Sequence, residues 1–148
     1  MTNPGFRASR PAIDRFTIAL VGTIDEETAM RCERETRMQL SLVQESSLHV
    51  LWDLSAVQGY SFEARVVIVR LQRFLTKKAD RTVYLASEPT PRSLALWAAR
   101  MGNDARACIA ADHESAEAWL SGRGEPNTLV RPIANVRTAV AGKTSAAN

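Results

Sequence analysis

The sequence predicts an α/β domain built on a small, mostly parallel β-sheet. Apolar, β-branched runs typical of strands alternate with amphipathic helical segments along most of the chain. The predicted helices, roughly 9 to 19 residues long, are long enough to connect one parallel strand to the next. Because such crossovers are right-handed, consecutive strand–helix units predict one continuous sheet. A chain of 148 residues is long enough for one domain with a single hydrophobic core.

The first unit consists of a strand at residues 13–22, with a bend inside it, and a helix from residue 26 to about residue 44. Asp25 is the predicted N-cap, and the glutamates that follow it lie where the helix dipole favours anions. A Glu33–Arg37 pair at i,i+4 supports the helix further. Small or apolar residues three or four apart predict its buried face: Ala29, Cys32, Thr36, Leu40 and Val43.

The second unit contains the clearest amphipathic pattern in the chain. A strand is predicted at residues 48–54, followed by a short loop, and Ser61 is the predicted cap of a helix that ends near residue 78. Basic residues near the end of this helix suit the negative pole of its dipole. The predicted buried face is Ala64, Val67, Ile68, Leu71, Phe74 and Leu75.

The third unit begins with a strand at residues 81–86. Thr90 followed by Pro91 is a favoured helix start, because proline suits the first helical position. Leu94, Trp97, Ala98 and Met101 have the spacing of a buried helix face, and Gly102 is a natural stop.

The last unit is a strand at residues 105–110 and a helix that Asp112 caps and that ends near Leu120. We therefore assign residues 1–122 to the domain, with residues 1–10 as a loose lead-in. Residues 123–148 have no strong period, which predicts a partly disordered C-terminal extension.

Composition excludes several classes of function. Apolar residues make up 45% and charged residues 24%, as in soluble globular proteins, and no apolar run approaches the roughly 20 residues of a membrane span. The N-terminus has no apolar core of a signal peptide, so we expect a cytoplasmic protein. The net charge of +3 comes without a nucleic-acid-binding motif, so no nucleic acid is expected as a partner.

Catalytic and metal chemistry have little support in the sequence. The cysteines, Cys32 and Cys108, lie far apart and are expected to be buried small hydrophobes. Neither His49 nor His113 has a second ligand at metal-binding spacing. No nucleophile elbow or Walker-type loop is present, so we predict no cofactor and no enzymatic activity.

Two motifs in the sequence resemble motifs of a known family. The turn Gly22-Thr23-Ile24-Asp25 and the segment Asp53-Leu54-Ser55, within VLWDLSAVQGYSFE at residues 50–63, are similar to motifs of the STAS domain. The chain resembles its SpoIIAA-like branch, the anti-sigma-factor antagonists, over about residues 13–120. That resemblance implies a sheet of four to five strands with about four helices packed mainly on one face.

In STAS antagonists the loop reads roughly D-L-S-G-V-x-x-x-D-S-S-G, and its first serine after the second aspartate accepts phosphate from a kinase. In this register Ser61 stands where that aspartate stands, and Phe62 stands where the serine stands. The resemblance therefore implies a degenerate phospho-acceptor site. Ser61 remains a candidate acceptor, although a serine at a helix start is usually only a cap.

The remaining candidates concern partner binding. Asp25 matches an acidic position near the family's partner surface, and it also suits a simple helix cap. Asp53 and Ser55 lie at the carboxyl end of a strand, where open α/β sheets place ligands, and they also suit a local turn. Tyr60 and Phe62 are bulky residues in a predicted exposed loop, and either they and Glu63 bind a partner, or Phe62 folds inward onto its helix.

These observations predict a non-enzymatic STAS-like regulatory domain. Its expected partner is a protein, of the kinase or anti-sigma-like regulator kind that the resemblance implies, and a homodimer stays open. One alternative is a small-ligand or lipid-binding domain like the SEC14-type carriers, in which apolar helix faces line a cavity and the basic helix approaches anionic membrane lipids. The other is a phospho-switch antagonist that uses Ser61.

Overall fold

The computed structural model describes residues 5–44, 47–102 and 106–122, which form five strands and four helices. The strands are β1 (Phe6–Ala12), β2 (Arg15–Ile24), β3 (Leu48–Tyr60), β4 (Ala79–Leu85) and β5 (Ala107–Ala110). The helices are α1 (Glu26–Leu40), α2 (Phe62–Thr76), α3 (Pro89–Met101) and α4 (His113–Leu120). The predicted α/β class is confirmed.

One sheet contains all five strands in chain order, β1-β2-β3-β4-β5. The pairs β2–β3, β3–β4 and β4–β5 are parallel, whereas β1 runs antiparallel to β2. Each parallel strand is added on the same side of its predecessor, so right-handed crossovers put the intervening helices on the same face of the sheet.

The helices α1, α2 and α3 pack together on one face of the sheet and form the main core with it. In β3, alternate residues such as Val50 and Trp52 point into this core, as the period of a strand requires. The helix α4 covers a smaller cluster on the opposite face, built around Leu51 and Val83. The predicted packing of helices mainly on one face is thus confirmed.

The predicted lead-in over residues 1–10 is wrong from Phe6 onward, because β1 begins there. Phe6 is buried, and β1 pairs with β2 through a turn at Ile13 and Asp14. This turn occupies the first two residues of the strand predicted at 13–22. The strand β2 accordingly begins later than predicted, at Arg15, and continues to Ile24.

The short loop predicted after residue 54 is also wrong, because β3 continues to Tyr60. The longer β2 supplies the pairing partner for this continuation, from Val21 with Ala56 to Ile24 with Tyr60. Two register shifts near Gly22 accommodate the pairing, and Gly22 has a φ of 82°, which glycine adopts without strain.

The helix ends differ from the predictions in smaller ways. The helix α1 ends at Leu40, and α3 begins at Pro89, one residue before the predicted cap Thr90. Its cap position is instead Glu88, whose side chain makes no capping hydrogen bond. The predicted start of the last strand, Ala105, and the predicted extension over residues 123–148 lie outside the described residues.

A buried hydrogen bond anchors α2 to the sheet. The indole Nε1 of Trp52 donates to Gln72 Oε1 at 2.7 Å, and both side chains are completely buried. The ring of Trp52 also stacks on Tyr84, with centroids 6.1 Å apart. Gly102 at the end of α3 lies against the same glutamine, since a Cβ there would come within 2.7 Å of Gln72 Cγ.

Replacing Gln72 with methionine should destabilise the domain by about 1–3 kcal/mol, because the buried Trp52 N–H would lose its acceptor. Urea unfolding followed by circular dichroism measures this difference. The matched control is Gln58→Met, on the exposed side of β3, which should change the free energy of unfolding by less than about 0.5 kcal/mol. Equal effects from the two substitutions would contradict the role assigned to Gln72.

Candidate functional site

The first turns of α1 and α2 lie side by side at the carboxyl ends of β2 and β3. The amide of Ser61 donates to the Ile24 carbonyl at 3.1 Å, which joins the end of β2 to the start of α2. Their N-termini therefore form one edge of the molecule, where the helix dipoles create a favourable potential for anions.

Both helices are capped as the sequence predicts. Asp25 accepts a hydrogen bond from the Thr28 amide at 2.8 Å, and Ser61 Oγ accepts one from the Ala64 amide at 3.0 Å. The Thr28 hydrogen bond holds the pKa of the Asp25 carboxyl below its usual range. Asp25 and Ser61 thus each have a structural use at this edge.

Asp53 and Ser55 form a local arrangement of their own. The carboxylate of Asp53 accepts from the Ser55 amide at 3.1 Å and from its hydroxyl at 2.5 Å. Tyr60 lies five positions after Ser55, a distance of roughly 16 Å along β3. The structure therefore does not bring this pair together with the residues at the start of α2.

Tyr60 does not lie in an exposed loop, which corrects the prediction. It is the last residue of β3, is half-buried against the main core, and its hydroxyl lies 2.7 Å from Ser93 Oγ on α3. Phe62 is different: as the first residue of α2 its side chain is 63% exposed. Glu63 follows it in the exposed first turn. Of the two predicted aromatic anchors, only Phe62 faces solvent.

An aromatic and apolar surface that the sequence prediction missed continues from Phe62 along α2. The guanidinium of Arg65 lies between two rings, 4.9 Å from the centroid of Phe62 and 3.9 Å from that of Trp97. Val66 and Val69 extend the surface at four- and seven-residue spacing from Phe62. That spacing was readable in the sequence as a second apolar stripe. Trp97, predicted to face the core, is instead 39% exposed.

An ionic cluster fixes α1 against α2 behind this surface. Arg70 donates to both oxygens of Glu33, at 2.7 and 2.6 Å, and Arg37 donates to the same carboxylate at 3.3 Å, as the predicted i,i+4 pair requires. Glu33 is buried. The hydrogen bonds from Arg70 lower the pKa of Glu33, because they stabilise the charged carboxylate.

The candidate metal and thiol residues lie apart from this surface. His49 contacts Asp80 at 3.5 Å, and the described residues contain no group of three or more side chains that could hold a metal ion. Cys32 and Cys108 are buried free thiols, as predicted, and burial raises the pKa of Cys32 to about 12. None of the described helices combines the length and the apolar composition needed to cross a bilayer.

Comparison with solved structures identifies the fold as SpoIIAA-like. An uncharacterized protein from Shewanella loihica with a SpoIIAA-like fold superposes with a TM-score of 0.59 at 19% identity, covering 78% of this chain and 91% of that one. The unphosphorylated anti-sigma factor antagonist SpoIIAA gives 0.59 at 17% identity, covering 79% and 96%. An anti-sigma factor antagonist from Mycobacterium paratuberculosis gives 0.58 at 16% identity, covering 82% and 99%.

SpoIIAA of Bacillus in its phosphorylated form is also similar, with a TM-score of 0.53 at 16% identity, covering 76% of this chain and 96% of that one. No protein-family model and no curated protein matches the sequence. The predicted fold is therefore confirmed by likeness of structure at low sequence identity.

The Glu33 cluster predicts how stability depends on pH. Because folding lowers this pKa, the stabilisation is fully present above the pKa of the unfolded chain, about 4.5, and is lost as the pH falls through the lower folded value. Glu33→Gln should lower the free energy of unfolding by about 1.5–3 kcal/mol near neutral pH. The difference in free energy of unfolding between this variant and the wild type should become smaller at acid pH.

Urea titrations over a pH series measure this difference directly. The control is Glu114→Gln, an exposed glutamate in the first turn of α4, for which we expect a small change at every pH. A Glu33→Gln difference that stayed constant from neutral to acid pH would contradict the assignment of the effect to this carboxylate.

Proposed function

We propose that this chain is a non-enzymatic regulatory domain that binds a protein partner at the start of α2. The observation that carries the proposal is the exposed side chain of Phe62 beside two capped helix N-termini. Exposed Met30 and Val66 adjoin it, so the apolar surface is continuous. Aromatic residues in such a surface commonly dominate the binding energy of an interface.

The charges around Phe62 support a protein partner. Asp25 and Glu63 carry exposed carboxylates at the starts of α1 and α2, and Arg65 stacks on the ring of Phe62. Charges of both signs around an apolar centre give orientation and specificity to a protein complex. Two of the fold relatives are anti-sigma factor antagonists, which act on another protein, and this supports the same class of role here.

The positions and hydrogen bonds of the candidate polar residues support a function without catalysis. Asp25 and Ser61 both serve as caps. His49 lies at the opposite end of β3 from Ser61, roughly 35–40 Å away along the strand, which is far beyond the reach of a general base. The free cysteines Cys32 and Cys108 are both buried, which is consistent with the cytoplasmic location we propose. The apolar helix faces that a ligand-binding alternative would use as cavity walls are packed in the main core.

Phe62→Asp should abolish capture of the partner, because it places a charge at the centre of the apolar surface. The measurement is affinity capture from the source cells followed by mass spectrometry. The matched control is Ile13→Asp, at an even more exposed aliphatic side chain on the β1–β2 turn, at the opposite end of β2 from Phe62. Partners retained by Phe62→Asp as fully as by the control would overturn the proposal.

A second candidate function is a phosphorylation switch at Ser61. Its hydroxyl is partly exposed at the N-terminus of α2, where backbone N–H groups favour a phosphate. SpoIIAA itself has been solved in phosphorylated and unphosphorylated forms. The neighbouring carboxylates of Asp25 and Glu63 oppose this reading, because they repel an added phosphate.

The switch predicts that a kinase from the source cells labels the wild-type chain at Ser61. The variant Ser61→Asn should not be labelled, yet it should keep the helix cap, since asparagine caps as well as serine does. Ser61→Ala should also escape labelling, but with a loss of about 1 kcal/mol in stability. Absence of phosphate on Ser61, or equal labelling of Ser61→Asn, would exclude this second function.

A further inference from the structure

A shallow groove runs between the outer faces of α2 and α3. We call it the α2–α3 groove, and its volume is about 430 Å³. Its apolar floor is formed by Phe62, Val66 and Val69 from α2 and by Trp97 and Met101 from α3. Trp, Phe and Met side chains that remain exposed together on one surface are typical of protein interfaces.

The rim of the α2–α3 groove is basic. Arg65, Arg70 and Arg73 line it, and no carboxylate lies among the described residues that do so. Arg92 and Arg100 line an adjoining hollow along α3. An occupant that complements this surface is therefore apolar along its centre and acidic along its edge.

Arg65 differs from the other arginines of the rim. Arg70 pairs with Glu33, and Arg73 donates to the Met101 carbonyl at 2.9 Å. Within the part of the chain that the structure describes, Arg65 makes cation–π contacts but no hydrogen bond or ion pair through its guanidinium. Its planar group is held between Phe62 and Trp97 with its donors available, a geometry that suits bidentate binding of a carboxylate.

We infer that the α2–α3 groove binds an acidic amphipathic helix of the protein partner, with a carboxylate of that helix on Arg65. The inference rests on the proposed function and specifies its partner. The groove follows α2 from Phe62 to Arg73, about 17 Å or three helical turns. A partner helix of that length places apolar residues at i, i+3, i+4 and i+7 on the floor.

The test uses a displayed library of helical 16-residue peptides, selected for binding to the full chain. Enriched peptides should share apolar residues at helical spacing together with an excess of Asp and Glu on one flank. A synthetic peptide of the enriched sequence, labelled with a fluorophore, then serves as the probe for affinity measurements by anisotropy. Its counterpart with Lys in place of each acidic residue is the matched control and should bind at least about tenfold more weakly.

Variants of the chain locate the binding. Val69→Arg should reduce affinity for the acidic peptide at least about tenfold, and so should Arg65→Gln. Arg65→Lys should keep part of the affinity that Arg65→Gln loses, because lysine retains the positive charge but lacks the planar guanidinium. Arg34→Gln, at an exposed arginine on α1, should bind as wild type does. Thermal unfolding of each variant verifies that the fold is retained.

Several outcomes would overturn the inference. These are a selection without enrichment, enriched peptides without helical apolar spacing or acidic excess, and peptides that bind Val69→Arg as they bind wild type. A dimer in sedimentation equilibrium that Val69→Arg disrupts would also overturn it, because a second copy would then occupy the groove. If capture still depends on Phe62 while the peptide selection fails, an acidic helix is excluded as the occupant of the groove and the proposed function stands.

Discussion

The order of the parallel strands is the constraint on which the rest of this structure depends. The strands β2 to β5 follow one another across the sheet in chain order, so each right-handed crossover lies on the same face. This arrangement puts α2 between α1 and α3. The middle helix therefore has one face against the sheet and its outer face bounded by neighbours on both sides, which creates the surfaces described above.

Two internal contacts hold the middle helix in its place. Gln72 accepts from the Trp52 indole beneath α2, and Arg70 binds Glu33 at its side. The first is fully buried and the second lies at the boundary of the core. Because both contacts come from α2 itself, they fix the orientation of the helix from which Phe62 and Arg65 project.

Local patterns in the sequence predicted much of the fold. The caps Asp25 and Ser61 were predictable because capping depends only on residues a few positions apart. The strand β1 was missed because its two arginines, its proline and its mostly exposed residues resemble a loop, and only pairing with β2 reveals it. The position of Arg65 between the rings of Phe62 and Trp97 was missed for the same reason, since Trp97 comes from another helix. The apolar stripe of Phe62, Val66 and Val69 could be recognised in the sequence, but the position of α3 beside it could not.

The extension of β3 to Tyr60 has a consequence for the thermodynamics of binding. A flexible loop before α2 would lose roughly 1–2 kcal/mol per residue of conformational entropy on becoming ordered in a complex. Here those residues are already paired with β2, so association should proceed as a nearly rigid-body event without that penalty. Under the proposed function, the described segment between β3 and α2 has no loop that must become ordered when a partner binds.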